Sequence, residues 1–103
     1  MSSTFDVIIE GDSMWPTFRH GDILSFRSVK EDETYICGIV VLASHPFQES
    51  VLIVKRIQSL FSSDQVFLEG DQPDPTASED SHNFGPVDVR CIQGIWTGEM
   101  RRA

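Results

Sequence analysis

"VLIVKRIQS", residues 51–59, sets five aliphatic side chains around a Lys-Arg pair. Read at the two-residue period of a β-strand, Lys55 falls in line with Val51, Ile53 and Ile57, while Leu52, Val54 and Arg56 share the other face. Both faces are apolar at one end, so the segment reads as a central strand and not as an amphipathic edge. A lysine on such a face has two readings. Its long stem can snorkel and carry the ammonium to solvent or to a carboxylate. Alternatively the amine is desolvated, its pKa falls from about 10.4 toward neutrality, and it serves as a general base at physiological pH.

The same period recurs on either side of this strand. "TFDVIIE" (4–10), "DILSFR" (22–27), "GIVVLA" (38–43), "QVFLEG" (65–70) and "VRCIQGIW" (89–96) read as short strands bounded by Gly, Pro, Asp or Ser. No segment carries a helical face longer than one or two turns. The sequence therefore predicts one mostly-β domain over residues 1–103, a barrel or coiled sheet with little helix. Three loops punctuate it: "EGDSMWPTFRHGD" (10–22), "SHPFQES" (44–50) and "GDQPDPTASEDSHNFGP" (70–86). The last is too long for an ordinary hairpin, and loops of that length are usually functional or unstructured.

Composition narrows the partners. With 16 acidic and 8 basic residues the formal net charge is -8, which repels a phosphate backbone and an anionic membrane surface alike, so nucleic acid is not an expected partner. The longest apolar stretch, "ICGIVVLA" (36–43), is far short of the roughly 20 residues that span a bilayer. "MSSTFDVIIEGD" lacks both a basic n-region and a sustained apolar h-region. The expectation is a protein without a membrane anchor, located in the cytoplasm. Cys37 and Cys91 lie far apart without CxxC spacing and read as reduced core residues. No pair among His20, His45, His82, Cys37 and Cys91 has metal-ligand spacing, and the acidic loop lacks the glycine of a calcium loop, so neither metal nor cofactor is expected.

Ser13 is the candidate nucleophile. A serine hydroxyl needs an adjacent base, usually histidine, but none of the three histidines comes with a GxSxG elbow or a recognisable triad order. A Ser-Lys pair needs only two residues. Lys30 and Lys55 are the only lysines, and only Lys55 lies on an apolar strand. Around Ser13 the chain is stiffened by Pro16, which fixes its own φ and biases Trp15 toward extended geometry. Gly11 permits positive φ or close backbone approach, leaving the Ser13 N–H free to point at a developing oxyanion.

These residues match a family. "GDSMWPT" resembles the nucleophile box of type I signal peptidases and related Ser-Lys proteases, including the SOS-repressor type, and "LIVKRI" is similar to their lysine-bearing strand. "EGDQPDPTASEDSHNFGPV" (69–87) resembles the family's third pattern of Gly-Asp-Asn, Ser-x-Asp-Ser-Arg and Phe/Tyr-Gly-x-Val. The resemblance implies a coiled β-sheet barrel in which Ser13 is acylated and Lys55 is the general base that later activates water. It makes Ser78 the serine that orients the lysine amine and Asp80 the acid that braces the loop. Gly70 and Asp71 shape the opening of that loop, and Ser81 belongs to the same box. Met14, Gly11 and Pro16 line the substrate cleft. For Asp71 and Ser81 a plain Asx or Ser turn, and for Met14 plain core packing, are equally good readings.

Departures from the pattern carry information. Gly11 stands where signal peptidases often place a serine as second oxyanion donor, Gln72 stands for Asn, and His82 replaces the usual Arg. An Asp80–His82 brace would weaken or strengthen around the histidine pKa of about 6.5. "HP" before the lysine strand, "VKR" on it and a "GD-x-P…S-x-DS…FGPV" ending resemble the short maturation proteases of nickel-type superoxide dismutase. That resemblance implies removal of an N-terminal leader from the dismutase precursor. Two alternatives stay open. A self-cleaving domain of the SOS-repressor type would need an Ala-Gly or Cys-Gly ahead of the nucleophile, yet Cys37-Gly38 follows Ser13. A non-catalytic β domain that binds a peptide in the same cleft would keep the fold without the chemistry.

Overall fold

The computed structural model describes residues 3–74 and 79–103. The apolar run centred on residue 40 becomes β3 (Val40–His45), whose first four residues are buried. Val41 and Ala43 enter one hydrophobic cluster with Ile57, Leu68 and Ile95, and Val40 and Leu42 enter a second with Leu24, Phe26, Met14 and Phe18. A strand with core on both faces reads as a continuous apolar run, which is why strict alternation fails there.

The remaining strands are β1 (Thr4–Ile8), β2 (Ile23–Ser28), β4 (Gln48–Ser62), β5 (Gln65–Glu69), β6 (Val87–Asp88) and β7 (Ile92–Arg101). One helical turn, α1 (Ser81–Phe84), and a 3-10 turn, Val89–Cys91, complete the described elements. The seven strands make one antiparallel sheet in the order β1-β2-β7-β3-β4-β5-β6. The mostly-β expectation holds. Closure into a barrel does not: β1 and β6 stay apart as the two edges. A two-residue β6, paired only with Gln65 and Val66, offers too little backbone for β1 to complete a ring.

The central strand is longer than its apolar pattern. β4 runs 15 residues because two different partners satisfy its backbone in turn. Its first part pairs with β3, from His45↔Gln48 through Val41↔Lys55 to Val40↔Arg56; its second pairs with β5, from Arg56↔Glu69 to Ser62↔Gln65. Among the described residues no strand pairs with the outer side of residues 48–55, nor with the outer side of β1. The outer backbones of β1 and of the first part of β4 are thus unpaired among the described residues.

Two loop expectations need correction. Residues 44–50 are no loop but the tight β3–β4 hairpin, with Pro46 and Phe47 at its turn. The long third loop contains α1, where Asp80 caps the turn and forms a capping box with Asn83. The cysteines are both free thiols, but Cys37 is exposed instead of lying in the core.

Candidate active site

Ser13 sits in the closed loop between β1 and β2. Ile9 seals its base, donating from N–H to the Asp22 carbonyl and accepting from the Gly21 N–H, each at 2.8 Å. Within the loop the Trp15 N–H donates to the Asp12 carbonyl and the Phe18 N–H to the Met14 carbonyl. Gly11 takes φ +82°, a conformation that suits glycine, and its N–H donates to His20 Nδ1 at 2.9 Å. Met14 and Phe18 fix the loop from below. Both are fully buried, and the Phe18 ring meets the Trp96 ring of β7 edge-on at 4.9 Å. Burial of two such side chains contributes on the order of 3–6 kcal/mol toward holding this turn.

Lys55 comes from the middle of β4 and is only 4% exposed. Its Nζ lies 2.8 Å from Ser13 Oγ. Burial pushes the Lys55 amine below its ordinary pKa, while the carboxylates of Asp80 and Glu79 oppose that shift. The direction matters more than the size: desolvation favours the neutral amine, the form that accepts a proton.

Beside this pair opens a groove of about 510 Å³, bounded on one side by residues 7–10 and on the other by residues 50–55. Val7 and Ile8 of the first flank end β1, and residues 50–55 belong to the part of β4 that has no strand on its outer side. Ser13, Lys55, Met14 and Leu42 form part of its lining. Met14 therefore belongs to both core and groove. Gly11 and Pro16, on either side of Ser13 in the loop, are exposed and are not among its lining residues.

The third loop docks against the nucleophile loop through groups that pair across it. Gln72 donates from its N–H to the Ser13 carbonyl at 3.0 Å and from its side chain to the Asp12 carbonyl. Asp71 receives Arg56 Nε and a terminal guanidinium nitrogen at 2.9 and 2.7 Å, and the Thr17 hydroxyl at 2.6 Å. Burial alone would raise the Asp71 carboxyl, but Arg56 and Thr17 together leave it below the usual carboxylate range. So Asp71 ties β4, the nucleophile loop and the third loop together. The sequence reading gives no site role to Arg56, Thr17 or Gln72. Their signal was positional: Arg56 follows Lys55 on the opposite strand face, and Thr17 and Gln72 lie within the two loop boxes.

Asp80 and Ser81 hold the far end of the third loop. Asp80 accepts from the Gly70 N–H at 3.0 Å, from the His82 N–H at 3.0 Å and from His82 Nδ1 at 2.9 Å. Burial disfavours its charge, yet these donors keep its carboxyl below the ordinary range. Two of them are backbone N–H groups that do not titrate, so the brace does not rest on His82 alone. Ser81 Oγ accepts from the Leu68 N–H at 2.8 Å, a buried bond that fastens α1 to β5. Ser78 lies outside the described residues. No family model matches the sequence, and none of the curated proteins matches it.

Proposed function

We propose that the chain is a serine endopeptidase with a Ser13–Lys55 dyad on a signal-peptidase-like fold. Its substrate is the N-terminal leader of a nickel-type superoxide dismutase precursor, processed in the cytoplasm without a cofactor. The 2.8 Å contact between Ser13 Oγ and a buried Lys55 Nζ, at the wall of a groove flanked by two unpaired strand edges, is the observation that carries this reading.

The chemistry follows from that contact. Neutral Lys55 accepts the Ser13 proton as Oγ attacks the scissile carbonyl, and the resulting ammonium returns the proton to the departing amine. Water then enters and gives a proton to Lys55 as its oxygen adds to the acyl carbon; the ammonium returns that proton to Ser13 Oγ as the acyl–oxygen bond breaks. The Ser13 backbone N–H stabilises the oxyanion in both steps. An extended leader lies between β1 and β4 by strand addition, its main chain supplying most of the affinity and small side-chain pockets the selectivity.

Purified chain incubated with the dismutase precursor should release the leader, seen by intact mass, whereas Ser13→Ala should leave the precursor whole. Binding without cleavage by the wild-type chain would favour the peptide-binding reading instead. Cleavage of other leader peptides but not of this precursor would keep the protease and replace the substrate.

A further inference from the structure

A trans peptide carries its carbonyl and its N–H on opposite sides, so a group that holds one end aims the other. The Ser13 N–H, the oxyanion donor of the proposed chemistry, shares a trans peptide with the Asp12 carbonyl. Among the described residues this N–H donates to no protein acceptor. The carbonyl at the other end receives two donors. One is the Trp15 N–H at 3.0 Å, from within the nucleophile loop; the other is Gln72 Nε2 at 3.2 Å, from the third loop.

The next carbonyl along the chain, that of Ser13 itself, receives the Gln72 backbone N–H at 3.0 Å. One residue therefore grips both peptides that flank the Ser13 Cα. Its side-chain amide is oriented from its other end, where Oε1 accepts from the Asp74 N–H at 3.4 Å and so turns the NH₂ group toward Asp12. Asp71, one position earlier, is fixed by Arg56 and Thr17. Gln72 is not among the residues that line the groove, so its loss removes no wall of the substrate site. A donor on the Asp12 carbonyl also polarises that amide and strengthens its N–H as a donor.

We propose that Gln72 is a positioning residue of this site. Its side-chain amide, by holding the Asp12 carbonyl, aims the Ser13 N–H at the oxyanion that forms when Ser13 Oγ adds to a carbonyl. Aim matters because a hydrogen bond weakens steeply as its donor angle closes. This inference rests on the Ser13–Lys55 reading and adds to it a residue outside the dyad.

The probe is acetyl-alanyl-alaninal carrying ¹³C at its aldehyde carbon. Ser13 Oγ adds to that carbon, and its proton passes by way of Lys55 to the former carbonyl oxygen, giving a hemiacetal with no leaving group. The pH at which the hemiacetal hydroxyl ionises, read from the ¹³C shift, measures how well the oxyanion is held. Gln72→Met matches the side chain in length without a donor and keeps the backbone bond to the Ser13 carbonyl. It should raise that midpoint by about one pH unit and lower kcat for leader release about tenfold, with KM unchanged. Gln72→Ala should do the same and decides the matter if the methionine variant does not fold. A hemiacetal whose midpoint stays at the wild-type value in the variants overturns the proposal whatever happens to kcat, and leaves Gln72 as a tie between two loops. If the wild-type chain releases the leader but forms no hemiacetal, the kinetics decide: a fall in kcat alone supports the proposal, and a change in KM or in neither overturns it. A wild-type chain that neither forms the hemiacetal nor releases the leader overturns the dyad reading and this inference with it, so the two failures are distinguishable.

Discussion

At the scale of single residues, the proposed Ser13–Lys55 dyad would act as one unit, so removal of its members should not be additive. Ser13→Ala and Lys55→Met should each lower leader cleavage by about 10³-fold or more, and the double variant should be little worse than either. Lys55→Met carries a second consequence. A lysine whose folded pKa is depressed is protonated more readily in the unfolded chain, so it destabilises the fold as pH falls from the unfolded value toward the folded one. Replacing it with Met at neutral pH should raise stability, on the order of 1 kcal/mol, measured by urea denaturation. Cleavage should rise with pH as Lys55 loses its proton. Gln in place of His20, His45 or His82 should leave that ascending limb in place, whereas its loss in any one variant would make that histidine the base.

Among the elements, the third loop is where stability and site geometry meet. Asp80→Ala removes the cap of α1 and the acceptor of the Gly70 N–H together. It should cost about 1–2 kcal/mol in a chemical melt. The carboxyl of Asp80 is depressed, so its contribution is present above the unfolded carboxylate pKa of about 3.9 and is lost as pH falls through the lower folded value. Wild type and Asp80→Asn should accordingly converge in stability toward pH 2. Arg56→Lys tests the other end of the loop. A lysine cannot reproduce the two-nitrogen grip on Asp71 or the further bond to the Gly38 carbonyl. Cleavage should fall by about tenfold with the fold retained, read as kcat/KM beside a circular dichroism melt.

For the molecule as a whole, the proposed activity makes net charge a filter on which leaders arrive. At -8 the surface repels acidic peptides, and the groove mouth carries Glu10. Leaders of equal length bearing added Asp or Glu should show lower kcat/KM than leaders bearing Lys or Arg. The gap should narrow between low salt and about 0.5 M salt, because screening acts on association and not on the buried dyad. A salt-independent gap would place the selectivity in pocket contacts instead. The open sheet supports this arrangement. A closed barrel would pair every edge, leaving β1 and the first half of β4 no backbone to offer an extended chain.

Period-2 alternation was enough to read most of the strands, the scarcity of helix and the apolar face that carries Lys55, because side-chain direction in a strand is a local property of the backbone; that the amine is buried instead of snorkelling to solvent came from the structure. The pairing of Lys55 with Ser13 was legible on other grounds: only two lysines exist and one lies on an apolar strand, while Ser13, one of twelve serines, stood out by its turn and by the motif it resembles. Tertiary structure alone decided the rest. The 15-residue length of β4 depends on β3 and β5 relaying along it, and the open sheet depends on how little backbone β6 provides. The hairpin at Pro46-Phe47 was hidden by residues that look like a loop. Most distant of all from the sequence were the ties among Thr17, Arg56 and Asp71 and the bond from His45 to Glu79. Such pairs join residues far apart in the chain, and their energy exists only after hydrophobic burial has brought the strands and loops together.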